Sequence, residues 1–152
     1  MGEIKRYAAA GGVVIHHGQL LVLERPSRNE VRLPKGHIDP GESARVAALR
    51  ETTEESGYAD LTVVAELGSQ LSEFDHNGKH IIRTEHYFLM HLQSERMLPR
   101  TAEDEAQFRV RWLPVDQAVA RLTFAAEQMM AQKGIDAEVG QPHPGPLHWS
   151  EL

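Results

Sequence analysis

The 152-residue chain has no cysteine, which excludes disulfides, a thiolate zinc site and a cysteine nucleophile. It has no apolar run near the eighteen residues a membrane span needs, and its first residues form no apolar signal stretch. A soluble cytoplasmic protein without a membrane partner is therefore expected. It also lacks any block of one charge sign: 25% of residues are charged, with a net charge of −6. That balance argues against a nucleic-acid-coating protein, although a metal site can still hold phosphates. There is no internal repeat and no low-complexity tract. The length suits one domain with a substantial core.

What is present is concentrated in residues 36–58, G-H-I-D-P-G-E-S-A-R-V-A-A-L-R-E-T-T-E-E-S-G-Y. Asp39-Pro40-Gly41 reads as a turn, with Pro presetting φ and Gly free to take φ > 0. Residues 43–56 lack Pro and Gly and are rich in Ala, Leu, Arg and Glu, so they predict a helix. At roughly 100° per residue, Glu51 and Glu55 stand about 40° apart, with Glu54 roughly 60° away on the other side. Three carboxylates thus share one arc. Val46, Leu49 and Thr53 take the opposite arc and are expected to anchor the helix. Ala44, Ala47 and Ala48 fall near the acidic arc, where small side chains admit close approach. Clustered carboxylates repel, and a divalent cation relieves the repulsion; oxygen ligands favour Mg²⁺ or Mn²⁺. Arg50, one turn before Glu54, is placed to hold that carboxylate. A solvated acidic helix face is the plainer reading of an isolated E-x-x-E-E.

Along the rest of the chain, residues 6–15 predict a strand, with Gly11-Gly12 marking a bulge or a close backbone approach. A turn at 16–19 and a strand at 20–23 complete a hairpin. His16 and His17 read as turn residues, because adjacent strand residues point to opposite faces. A polar loop at 25–30 leads through Pro34-Lys35-Gly36 into the acidic stretch. Residues 61–71 predict a strand, 72–79 a polar turn centred on Asn77-Gly78, and 80–92 a long, central strand. A charged loop over 94–107 carries Glu103, Asp104 and Glu105. A strand at 108–113 and helices at 115–122 and 124–133 follow, the last stopped by Gly134. Residues 1–135 are expected to form the domain. Residues 136–152, with three prolines, read as an irregular tail docked through Trp149.

Five residues between Gly36 and Glu42, seven between Glu42 and Arg50, then Arg50-Glu51, Glu54-Glu55 and Gly57, match every fixed position of G-x5-E-x7-R-E-U-x-E-E-x-G-U. U is a bulky apolar residue; Thr52 departs from it, and Tyr58 fits loosely. The chain therefore resembles a Nudix hydrolase, and the likeness extends over roughly residues 6–133, including R-W-L-P-V-D-Q-A. The resemblance implies an α/β/α sandwich and Mg²⁺-dependent cleavage of a nucleoside diphosphate linked to some moiety X. Carried over by position, Glu51 and Glu55 are the principal metal ligands, helped by Glu54 and the backbone at Lys35 and Gly36. Glu42 is expected to orient Arg50. Glu54 is a candidate base, and Glu105 and Glu103 are candidates outside the motif. The P-K-G-H-I-D-P-G-E-S segment most resembles asymmetric diadenosine-polyphosphate hydrolases. On that reading Lys35, Lys79 and Arg83 meet phosphates, and Tyr87 stacks on adenine or lies in the core. ADP-ribose, nucleoside triphosphates and diphosphoinositol polyphosphates are alternative substrates. A non-catalytic nucleotide-binding regulator is the alternative of another class. The expected partner is a small phosphoanhydride, and the chain is expected as a monomer or homodimer.

Overall fold

A computed structural model describes residues 3–141. Its strands are β1 (Glu3–His16), β2 (Gln19–Arg25), β3 (Glu30–Arg32), β4 (Lys35–His37), β5 (Leu61–His76), β6 (Lys79–Leu92) and β7 (Arg109–Pro114). Its helices are α1 (Ala44–Ser56), α2 (Ala102–Gln107), α3 (Val115–Arg121) and α4 (Ala125–Val139). No helix among the described residues is long and apolar enough to cross a membrane.

β1 and β6 run parallel, from Glu3 opposite Lys79 to Val14 opposite Met90. β5 folds back on β6 through Asn77 and Gly78, both at positive φ. β4 lies antiparallel to β1 at Ala9, Ala10 and Gly11. β2 continues from the end of β1 and carries β3 and β7. Successive side chains on a strand alternate between faces. One face therefore collects Val13, Tyr87 and Leu89 against Met130 and Ala131 of α4 and Ala118 of α3. The other collects Ala10, Val14, Phe88 and Met90 against Ala47 and Ala48 of α1. The mixed sheet between helices is the expected α/β sandwich. Its centre is apolar on both sides, which is why 87–90 reads as an unbroken hydrophobic run.

Several elements depart from the sequence-based expectation. Gly11 and Gly12 mark close approach without a bulge. A Cβ on Gly11 would stand 2.3 Å from the Pro34 carbonyl oxygen, and one on Gly12 2.7 Å from Thr52 Oγ1. The β1–β6 register runs through both without a shift. The buried face of α1 is Ala47, Ala48, Thr52 and Ser56, while Val46 is exposed and Leu49 and Thr53 are half-buried. β5 continues to His76, so residues 72–76 belong to a strand. The charged loop contains α2, whose Thr101 side chain accepts from the Asp104 N–H as an N-cap. α4 passes through Gly134 to Val139, so residues 136–139 are helical. Gly134 is a contact point rather than a stop: a Cβ there would lie 2.5 Å from Val13 Cγ1. The expected docking of Trp149 falls outside the described residues.

Candidate active site

α1 begins where Ser43 Oγ accepts the Val46 N–H at 3.1 Å, and it ends at Gly57, whose φ of 89° suits glycine. Arg50 is the hub at the start of the site. Its Nε donates to Glu42 Oε2 at 2.7 Å, and its Nη2 donates to Glu42 Oε1 at 2.8 Å and to the His37 carbonyl at 3.0 Å. Its Nη1 donates to Glu51 at 2.8 Å and reaches Glu54 only at 3.3 Å. The two-pronged grip of Arg50, with the Asp39 N–H, holds the Glu42 carboxyl down at about 2. Glu42 is thus committed to Arg50, and Arg50 grips Glu51 more closely than Glu54.

Glu51 lies directly over Gly36 of β4; a Cβ there would stand 2.1 Å from the Glu51 carboxyl carbon. Glu55 Oε1 accepts the Lys35 N–H at 2.8 Å. Both carboxylates face a cleft of about 320 Å³, together with Gly36, Glu103, Asp104 and Arg83. Glu54 is 49% exposed and lies outside this lining, and so does Glu105, which is 65% exposed beside Arg100. Of the three carboxylates on α1 the cleft takes two, and α2 adds Glu103 and Asp104. Of the acidic run expected to contribute, Glu103 and its neighbour Asp104 reach the cleft and Glu105 does not.

Burial is the largest cause that pushes the Glu55 carboxyl up to about 8; the nearby Glu51 charge adds to it and the Lys35 N–H opposes it. Burial likewise raises Glu51, helped by Glu54 and opposed by Arg50. Two half-buried carboxylates lining one cleft, both hard oxygen donors, fit a Mg²⁺ or Mn²⁺ ion.

The remaining sequence candidates separate sharply. The Lys35 ammonium is turned into the interior, where it pairs with Glu127 of α4; the two side chains are 3% and 2% exposed. Glu127 also accepts the Leu33 N–H at 2.6 Å. The Lys35 side chain is therefore a core ion pair, and only its backbone serves the cleft. Tyr87 is wholly buried with its hydroxyl donating to Glu85, so it does not stack on a base. Lys79 is exposed at the hairpin end, four residues from Arg83 and so roughly 13 Å along the strand. Arg83 does line the cleft. It donates to Glu85 at 2.7 Å and to the Tyr7 hydroxyl at 3.2 Å, with its guanidinium 4.8 Å from the Phe74 ring centre.

Arg83 and Arg32 also line a second, neighbouring cavity, of about 340 Å³, so the two cavities share these arginines. Phe74 of β5, Phe124 before α4, Glu85 and Glu127 are among the lining of the second cavity. Sequence reasoning missed Arg32, Phe74, Phe124 and Glu127. The available signal was Phe74 standing in the otherwise polar stretch 72–79.

Comparison with known proteins fits this geometry. "Putative mutator protein MutT4" of Mycobacterium tuberculosis is 33% identical over 134 residues, 82% of this chain and 52% of that one. The asymmetrical bis(5'-nucleosyl)-tetraphosphatase of Rattus norvegicus is 30% identical over 101 residues, 66% of this chain and 67% of the relative. This chain thus spans about half the length of the first and two thirds of the second. The crystal structure of a C. elegans Ap4A hydrolase binary complex superposes with a TM-score of 0.68 at 23% identity, covering 89% of this chain and 99% of that one. A NUDIX domain model matches residues 5–133, across the sheet, α1 and the cleft, and the chain belongs to the Nudix family.

Proposed function

We propose that the protein is a Mg²⁺-dependent pyrophosphohydrolase whose substrate is a dinucleoside polyphosphate. One observation carries the reading: the acidic cleft under α1 shares Arg32 and Arg83 with a neighbouring cavity that Phe74 and Phe124 line. Glu51, Glu55 and the backbone at Gly36 would hold the metal, which when bound screens phosphate charge and lowers the pKa of water. Arg50 fixes Glu51 from behind, and the Lys35 N–H fixes Glu55. Glu103 or Asp104, across the cleft, is the candidate to take a proton from the attacking water, ahead of Glu54 and Glu105. Arg32 and Arg83 meet phosphates remote from the bond that breaks, in place of Lys35 and Lys79. Phe74 and Phe124 offer apolar surface for a base at that cavity. The tetraphosphatase relative supports the same substrate class.

The test is hydrolysis with Mg²⁺ over dinucleoside tetra- to hexaphosphates, ADP-ribose, nucleoside triphosphates and diphosphoinositol polyphosphates. Each charge-assisted contact is worth about 1.5–3 kcal/mol before ordering costs. Long polyphosphates should therefore show the highest kcat/KM, and Arg83→Ala should cut that advantage about tenfold or more. Glu51→Gln and Glu55→Gln should each lower kcat on the order of a thousandfold. A preference for ADP-ribose would overturn the substrate assignment. Normal turnover in both glutamine variants would overturn the metal ligands.

A further inference from the structure

We propose a second metal site, formed by His16, His17 and Glu95, that takes a borderline divalent transition ion such as Ni²⁺ or Zn²⁺. The ligand atoms of these three side chains all lie within 4.8 Å of one another. His16 closes β1 opposite Gln19, and His17 follows it outside the strand at φ 50°, in the left-handed region. That backbone step cancels the usual alternation of neighbouring side chains, and it sets the two imidazoles 3.9 Å apart between centroids, tilted by 52°. Their expected separation onto opposite faces is thereby corrected. Glu95 arrives from the segment after β6. Because β6 runs parallel to β1, the two strands finish at the same end of the sheet.

The Glu95 Oε2 to His16 Nε2 distance is 3.3 Å. Two donors about 2.0–2.1 Å from a tetrahedral ion stand roughly 3.4 Å apart, so this pair already has the spacing of shared ligands. His17 and Glu95 are exposed and need only side-chain rotation to complete the set. Two imidazoles and a carboxylate select Zn²⁺, Ni²⁺ or Cu²⁺ over Mg²⁺. The site is separate from the acidic cleft, since His16 lies seven residues beyond Ala9, roughly 23 Å along β1. Trp112, with its ring 5.9 Å from that of His16, is a built-in reporter.

The experiment is calorimetric titration of the full chain with Ni²⁺ in excess Mg²⁺, added to fill the metal site proposed for the acidic cleft. The wild type should show one saturable site per chain. His17→Ala and Glu95→Gln should each weaken it by at least about 10- to 100-fold, the size of effect expected from disturbing a metal's ligand shell. His80→Asn, which alters a histidine bound instead to Asp75 and Glu73, should leave the affinity unchanged. Tryptophan fluorescence should be quenched in step with binding. Equal Ni²⁺ affinity in wild type and His17→Ala, loss of the site in His80→Asn, or binding without quenching would each overturn the proposal.

Discussion

Replacing Glu127 by glutamine tests whether the interior ion pair holds the cleft together. The Glu127 and Lys35 side chains are almost wholly inaccessible, so the substitution leaves an ammonium in the core without a counter-charge. Breaking a buried pair from one side costs about 3–5 kcal/mol. The whole domain is stable by only about 5–15 kcal/mol. At about 2–4 °C per kcal/mol for a chain of this size, the melting temperature should fall by roughly 6–20 °C. Lys35→Met with Glu127→Leu removes both charges and leaves one orphan, the Leu33 N–H. That double variant should lose only about 1–3 kcal/mol, the cost of an unsatisfied buried donor. Calorimetry on the three proteins decides the matter. A Glu127→Gln variant melting within about 2 °C of wild type would refute the buried pair as a source of stability. Turnover measured well below the melting transition should also fall, because Glu127 fixes the backbone whose Lys35 N–H holds Glu55.

Three further outcomes follow from the same geometry. Between the usual carboxylate pKa of 4.5 and about 8, the folded metal-free chain keeps a proton on Glu55 that the unfolded chain has released. Its stability should therefore decline as pH rises from 5 to 8, and saturating Mg²⁺, which favours the carboxylate, should flatten that decline in thermal melts. A metal-free melting temperature that rises steadily across that interval would contradict the burial of Glu55. Gly36→Ala drives a methyl into Glu51 and should cost at least about a hundredfold in kcat, with an overpacking penalty of roughly 1–3 kcal/mol. Gly18→Ala strains a turn at φ 73° with nothing within 4 Å, so it should lower the melting temperature and leave kcat unchanged.

The motif was legible because helical geometry is local. Once residues 44–56 form a helix, the angular placement of Glu51 and Glu55 follows from their spacing alone. The direction of the Lys35 side chain was not legible, because it depends on α4 folding across the sheet 92 residues later. Tyr87 is buried for a similar reason: its strand lies beside β1, whose Gly11 backbone faces it. The core face of α1 was misjudged by hydrophobicity. Val46 and Leu49 are larger and more apolar, yet the sheet beneath offers Gly12 and accepts only small side chains. The histidine pair was misjudged by strand alternation, which stops at His16.

That small-residue contact explains why the cleft works where it does. Ala47, Ala48, Thr52 and Ser56 let α1 settle against β1 and β6, and Thr52 occupies the space a Gly12 side chain would need. Only a helix that close places Glu55 within 2.8 Å of the Lys35 N–H and Glu51 over a bare Gly36. The same closeness raises both carboxyls, a cost to the metal-free fold. Thr52, where the motif usually has an aliphatic, is therefore a packing solution. Its hydroxyl fits over Gly12 without a hydrogen-bond partner, tolerated because the site needs the helix to lie there.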